Sequence, residues 1–257
     1  QYKYGMGSAC SNDYAYKPNL DNFGSSVSNS SWGPLLQGQP VYRYDSPQLN
    51  DEVGTRYIKL PLVAFPNNRK DFFETGMTLS NSIAVDGGNK DTKVRVSLSQ
   101  KTQKWIVENN GKDSYGAQIS IDHNIMKYYK SSATEIYTNL RSDNLPATGF
   151  GSSTIAQWLL YLDPSANINW YKPRWITRES TSGLLSRIQN RPFVSTVDNP
   201  YVIANDMNNT TDRDGLTGNL NINWDINKQW SLMLRSGLNY SNDDRTFRKP
   251  FDTQSYR

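Results

Sequence analysis

The sequence predicts an all-β fold, an antiparallel up-and-down segment of a transmembrane β-barrel with long extracellular loops. Three observations predict it. Residues 216–240 hold two alternating strands back to back: Leu216, Gly218, Leu220, Ile222, Trp224 and Ile226 share one face, and Trp230, Leu232, Leu234, Ser236, Leu238 and Tyr240 share another. A strand of eleven residues is about twice the usual soluble length of ~5–6. At roughly 3.3 Å per residue it is about 36 Å long, enough when tilted by ~40° to cross a bilayer. The aromatics sit at the ends of the apolar faces, Trp224 and Trp230 beside the turn and Tyr240 at the far end. That placement suits a membrane girdle, because a ring with a polar edge is most stable between lipid and water. Finally, short and long connections alternate, which puts tight turns at one end of a meander and long loops at the other.

The elements follow in order. Residues 1–72 are rich in Ser, Asn, Gly, Pro and Tyr with little periodicity, and read as an extracellular loop region. Residues 73–141 hold four barrel strands in two hairpins. Met77, Leu79, Ile83 and Val85 alternate with Thr78, Ser80, Ser82 and Ala84; Gly87-Gly88-Asn89-Lys90 then turns the chain, its glycines accepting positive φ. Val94, Val96 and Leu98 carry the return strand. After a polar link at 108–113, expected to be long, Tyr115, Ala117, Ile119, Ile121, His123 and Ile125 mark the third strand. The fourth is less regular, with Thr134, Ile136, Thr138 and Leu140 against Ala133, Glu135, Tyr137 and Asn139. Residues 142–213 read as a second long extracellular loop with a short helix near Thr154–Leu162. Residues 214–240 are the last hairpin, and 241–257 begin the next loop.

Composition alone misleads. The mean hydropathy of −0.73 and 36% hydrophobic content fit a polar soluble chain. A barrel produces the same numbers, since half of every strand faces a polar lumen. Sixteen Tyr and seven Trp are too many for a disordered chain. No apolar run is long enough for a membrane helix. The net charge of +4 is interspersed, so no basic stripe points to nucleic acid. With one cysteine (Cys10) and one histidine (His123), neither an internal disulfide nor a Cys/His metal cluster is expected. The start at Gln1, without a signal-like segment, reads as a processed chain, a truncated one, or part of a longer polypeptide.

No catalytic constellation stands out, and the expectation is a non-enzyme without cofactor or metal. A lone strand histidine lacks the base and orienting group a nucleophile needs. Asp212/Asp214 and Asp243-Asp244 read as turn-forming or solvated carboxylates, without calcium-loop spacing. The long loops offer better ligand or lid contacts in Trp32, Trp158, Trp170, Tyr171 and Trp175, whose rings can stack on sugars or pack on a partner. The competing reading makes them loop-core packing.

Several segments resemble one family. Trp32-Gly33-Pro34-Leu35-Leu36-Gln37-Gly38-Gln39, Asn67 to Gly76, Thr78 to Asn89, and Asn199-Pro200-Tyr201 followed by Asp212-Arg213-Asp214 and Leu216 to Asn219 are similar, in order, to segments of SusC/RagA-type TonB-dependent outer-membrane transporters. The resemblance spans about residues 1–245. It implies a plugged barrel of roughly 22 strands, of which this chain holds the early strands just after the plug. It further implies a SusD-like lipoprotein as lid, TonB acting through a plug that this chain does not show, and an oligosaccharide or peptide as cargo. Six open strands reach the same point physically, because lipid cannot satisfy two unpaired edges. Two other readings stay open: a secreted carbohydrate-binding β-sandwich, and an outer-membrane barrel serving as the scaffold subunit of a larger complex.

Overall fold

The computed structural model describes residues 3–5, 33–52, 54–145, 147–179, 183–192 and 197–254. The chain divides into two compact units. One contains Thr75–Leu145 and Asn208–Phe247, and the other gathers 1–74, 146–207 and 248–257. The fold is predominantly β, and no helix among the described residues is long and apolar enough to cross a membrane.

The first unit is one six-stranded antiparallel sheet: β1 (Met77–Gly88), β2 (Thr92–Lys104), β3 (Gly111–Met126), β4 (Tyr129–Asn144), β5 (Asn208–Asp225) and β6 (Ser231–Arg248), each paired with its neighbours in chain order. The up-and-down topology is the one the alternation predicts. The last two strands run 18 residues each, well beyond the eleven that alternate cleanly. Residues 208–213 and 241–248 are therefore strand, not loop. Their alternation is hidden because both faces become polar there (Thr211 and Asp212 on β5, Asp243 and Asp244 on β6).

Three turns are tight. Residues 89–91 join β1 to β2, with Asn89 Oδ1 accepting from the amides of Asp91 at 2.9 Å and Thr92 at 2.8 Å. The preceding Gly88 has φ +154°, and a Cβ there would meet the Thr92 carbonyl oxygen at 2.1 Å, so only glycine fits. Gly87, expected in the turn, belongs to the strand. Residues 127–128 join β3 to β4, and Asn227 Oδ1 caps the last turn by accepting from Gln229 N at 2.8 Å and Trp230 N at 2.9 Å. The link after β2 is also short, contrary to expectation. It spans 105–110 and is closed by Trp105 N–H to the Asn110 carbonyl, with Asn109 at φ 56°. Asparagine tolerates that left-handed conformation, so a polar run that reads as an extended loop folds as a turn. The connection from β4 to β5 remains long, at 145–207.

The second unit is irregular. It contains short two-stranded ribbons (Pro40–Val41 with Leu60–Pro61, Gln48–Asp51 with Gly54–Tyr57, Trp175–Glu179 with Leu185–Gln189) and three short helices, α1 (Asn68–Phe72), α2 (Ile155–Tyr161) and α3 (Pro200–Asn205). Thr154 caps α2, its side chain accepting from Gln157 N, and Asn199 caps α3 with Pro200 in the first turn. The expected helix at Thr154–Leu162 is thus present.

Candidate functional site: a two-faced sheet and a polar core

Residues opposite each other in an antiparallel ladder point to the same side. The register therefore assigns every strand residue to a face. One row reads Val85, Val96, Ile119, Glu135, Gly218, and the next Ile83, Leu98, Ala117, Tyr137, Leu216. A third reads Gly87, Val94, Ile121, Ala133, Leu220. These rows form an apolar face that is open to the surroundings. Ile83 is 64% exposed, Val85 65%, Leu98 53% and Leu238 58%, values far above those of a packed core.

The face has edges. At the short-turn end Trp224 pairs with Tyr129, and the exposed Trp230 follows the turn. At the other end lie Tyr137, Tyr115 and, on β6, Tyr240. One row beyond Tyr137 the same side becomes polar, with Asn81, Gln100, Asn139 and Asp214. There Tyr137 Oη donates to Asp214 Oδ1 at 2.5 Å, and Arg141 holds Asp212 through Nε and Nη2, both at 3.0 Å. The Asp212/Asp214 pair is thus hydrogen-bonded structure, not an open acid–base pair. From Leu216 to Trp224 the band runs nine residues, about 27 Å along the strand.

The opposite face is small and polar, with rows such as Ser82, Ser99, Gly116, Thr138, Gly215 and Asp86, Arg95, Ser120, Thr134, Asn219. Ile136 and Leu140 also fall on it. The pattern of β4 alone marks those two as its apolar set, yet the neighbours' register turns them the other way and puts Ala133, Glu135 and Tyr137 among the apolar rows. A strand's own alternation yields to the pairing of the whole sheet. His123 lies near the turns, with Nδ1 2.7 Å from Thr92 Oγ1.

The second unit buries what the sheet exposes. Phe72, Trp158, Tyr171 and Tyr201 form an aromatic cluster with ring centroids 5.3–5.7 Å apart, and Trp170 stacks with Tyr44 and Phe65 at 5.7 Å. Trp158 and Tyr171 are 2% exposed and Trp170 8%. Neighbouring rings enclose all three, Trp158 against Tyr171 and Phe72, and Trp170 against Tyr44 and Phe65, which corrects the expectation that they reach a ligand or lid. Trp175 is only half-buried: Arg187 lies over its ring at 5.0 Å and its Nε1–H donates to Asp206 at 2.9 Å. Trp32 lies outside the described residues.

Around this cluster runs a buried polar network that sequence reasoning missed. Asn199 Nδ2 donates to the carbonyls of Tyr171 (2.8 Å) and Asn190 (2.7 Å), and its Oδ1 accepts from Tyr201 N at 2.8 Å. Asn190 Nδ2 donates to the Trp170 carbonyl at 2.8 Å. Arg191, buried, reaches Asp198 at 2.9 Å and Asp252 at 3.2 Å, and Gln189 bonds both aspartates. Asn68 bridges the Ala166 carbonyl and the Ile168 amide in the same manner. Only the recurrence of Asn beside aromatics could have signalled this. Asp163 is buried as well, and burial pushes its carboxyl up to about 6 against the opposing hydrogen bonds from Ser165.

Among the described residues no three His, Cys, Asp or Glu side chains are placed to hold a metal. No protein-family model matches the chain, and no curated protein matches it either.

Proposed function

We propose that this chain is part of an outer-membrane, TonB-dependent importer that takes up oligosaccharides or peptides with a SusD-like surface lipoprotein. The single observation that carries the membrane part is the exposed apolar face of the six-stranded sheet, bounded by aromatics at both ends. In water such a face costs about 25 cal/mol per Å² of apolar surface left uncovered, and patches of this extent mark an interaction surface. Lipid is the occupant that suits the band's height and aromatic borders, with Trp224, Trp230 and Tyr240 as girdle residues and Tyr115, Tyr129 and Tyr137 beside them. A soluble sandwich would bury this face against a second sheet, and the exposure of Ile83, Val85 and Leu98 argues against that reading.

Among the described residues no strand pairs with the outer edges of β1 and β6, so in this reading further strands close the barrel. The importer part rests on the ordered resemblance. Two of its motifs now have a physical reason: Asn199-Pro200-Tyr201 supplies the cap and hub of the buried network, and Asn68 in the stretch 67–76 ties α1 to the turn near Ala166. In this reading the polar face looks into a lumen where a plug would sit and TonB would act, while the aromatic-cored unit is extracellular. Lid or cargo contacts then fall to the exposed Leu184 and Leu185 and to the half-buried Trp175.

Fractionation of the source cells with intact-mass analysis of the native polypeptide tests this reading. The expected result is a much longer protein in the outer-membrane fraction, released only by detergent and accompanied by a surface lipoprotein. A species of this chain's 29.3 kDa that stays in solution without detergent would overturn it.

A further inference from the structure

One position on the apolar face breaks its chemistry. Glu135 stands in the row Val85, Val96, Ile119, Glu135, Gly218, with Ile119 and Gly218 across the ladder and Ala133 and Tyr137 on its own strand. It is exposed, and among the described residues no cation pairs with it. The nearest phenol, that of Tyr137, is engaged with Asp214 at 2.5 Å. Arg141, on the same face of β4, is held by Asp212 at 3.0 Å. A carboxylate in an apolar band is destabilising unless something brings it a donor.

The surface around it is recessed. A hollow of about 430 Å³ is lined by Ile119, Ile121, Ala133, Glu135, Gly218 and Leu238, among others. Gly218 opens it, since a Cβ there would have only Leu238 near, at 3.8 Å. Walls that are mostly apolar, with Thr134, Asn219 and Ser236 as the uncharged polar members and Glu135 as the single carboxylate, complement a group that has an apolar stem and a cationic head. Lysine and arginine side chains have that form.

We propose that this recess receives a lysine or arginine side chain from a neighbouring membrane protein, its stem along Ile119, Ile121 and Leu238 and its charged head on Glu135. The inference rests on the barrel reading above. A side chain carried on a partner's membrane-spanning segment arrives at this depth with its stem already in apolar surroundings. A lipid amine would have to be drawn below the tyrosine edge, away from the headgroup layer. The charge also sets the partner's register along the strands, because an unpaired cation on the incoming segment is disfavoured everywhere else on the band.

The test is photocrosslinking in intact outer membranes. The native protein carries p-benzoylphenylalanine in place of Ile121, alone and combined with Glu135→Lys or Gly218→Leu, and membrane yield is read first. Gly218→Leu fills the recess without touching the charge. Absence from the membrane fraction would sink the barrel reading itself, independently of the socket. With the protein in the membrane, the expected crosslink joins an apolar segment centred on a lysine or arginine. It should fall roughly tenfold or more in both double variants, as when one partner of a desolvated ion pair is removed. Crosslinks to lipid alone, none at all, or a protein crosslink that survives Glu135→Lys would each overturn the proposal.

Discussion

The two units invert each other's chemistry. The sheet turns Ile83, Val85, Leu98 and Leu234 outward, while the irregular unit encloses Asn190, Asn199 and Asp198 at 0% exposure among tryptophans. The difference follows from how each satisfies its backbone. The sheet pairs its peptide groups strand to strand, so its side chains are free to match two different surroundings. The irregular unit has few ladders, and its buried carbonyls and amides need side-chain partners. Asparagine supplies both a donor and an acceptor in a small volume.

Substitutions that confuse these two regimes separate them most sharply. The largest effect is expected from Arg191→Met. It leaves Asp198 and Asp252 without their shared cation and should destabilise the irregular unit by about 3–5 kcal/mol, read as a lowered melting temperature by tryptophan fluorescence. Trp158→Ala should cost a comparable ~3–5 kcal/mol by opening the aromatic cluster. A merely surface-exposed Trp158 would give less than about 0.5 kcal/mol, so this variant also tests the burial of that ring.

Next comes a pair of neighbours on β5. Leu220→Arg places a cation on the apolar face and should lower membrane-folded stability by about 2–4 kcal/mol. Asn219→Arg, one residue away on the polar face, should change it by less than about 0.5 kcal/mol. Urea titrations in lipid vesicles would measure both, and equal costs would contradict the two-faced assignment.

A further effect concerns pH. The Asp163 carboxyl is raised from 3.8 to about 6, so between these values the folded unit holds a proton that the unfolded chain has lost. Stability should therefore fall as pH rises from about 4 to 6 and level off above, by on the order of 2–3 kcal/mol in total. Asp163→Asn should remove that slope and leave the unit more stable at neutral pH, measured as melting temperature against pH. A slope retained in the variant would assign it to another group.

The sheet was largely legible in the sequence because period-2 alternation is a local signal. Strand order, the tight turns and the exposed ends at Trp224, Trp230 and Tyr240 all follow from it. Local signal failed where pairing decides. The 18-residue reach of the last two strands is set by ladder partners such as Arg141 opposite Asp212, and the facing of Glu135 by its neighbours Ile119 and Gly218. The irregular unit was nearly illegible. Its core joins Phe72, Trp158, Tyr171 and Tyr201 from distant stretches, and its buried asparagines read as loop residues because composition treats Asn as solvent-facing. The burial of Trp158, Trp170 and Tyr171 depends on those distant partners, which no local pattern displays.

The central claim is that the open apolar face of the sheet meets lipid. Nitroxide labels placed one at a time from Gly215 to Asp225, in protein whose Cys10 has been replaced and which is embedded in outer-membrane vesicles, test it most directly. Membrane-dissolved oxygen should relax labels at Leu216, Gly218, Leu220, Ile222 and Trp224, and a water-soluble nickel reagent those at Thr217, Asn219, Asn221 and Asn223. Uniform access of the aqueous reagent to both sets would contradict the claim.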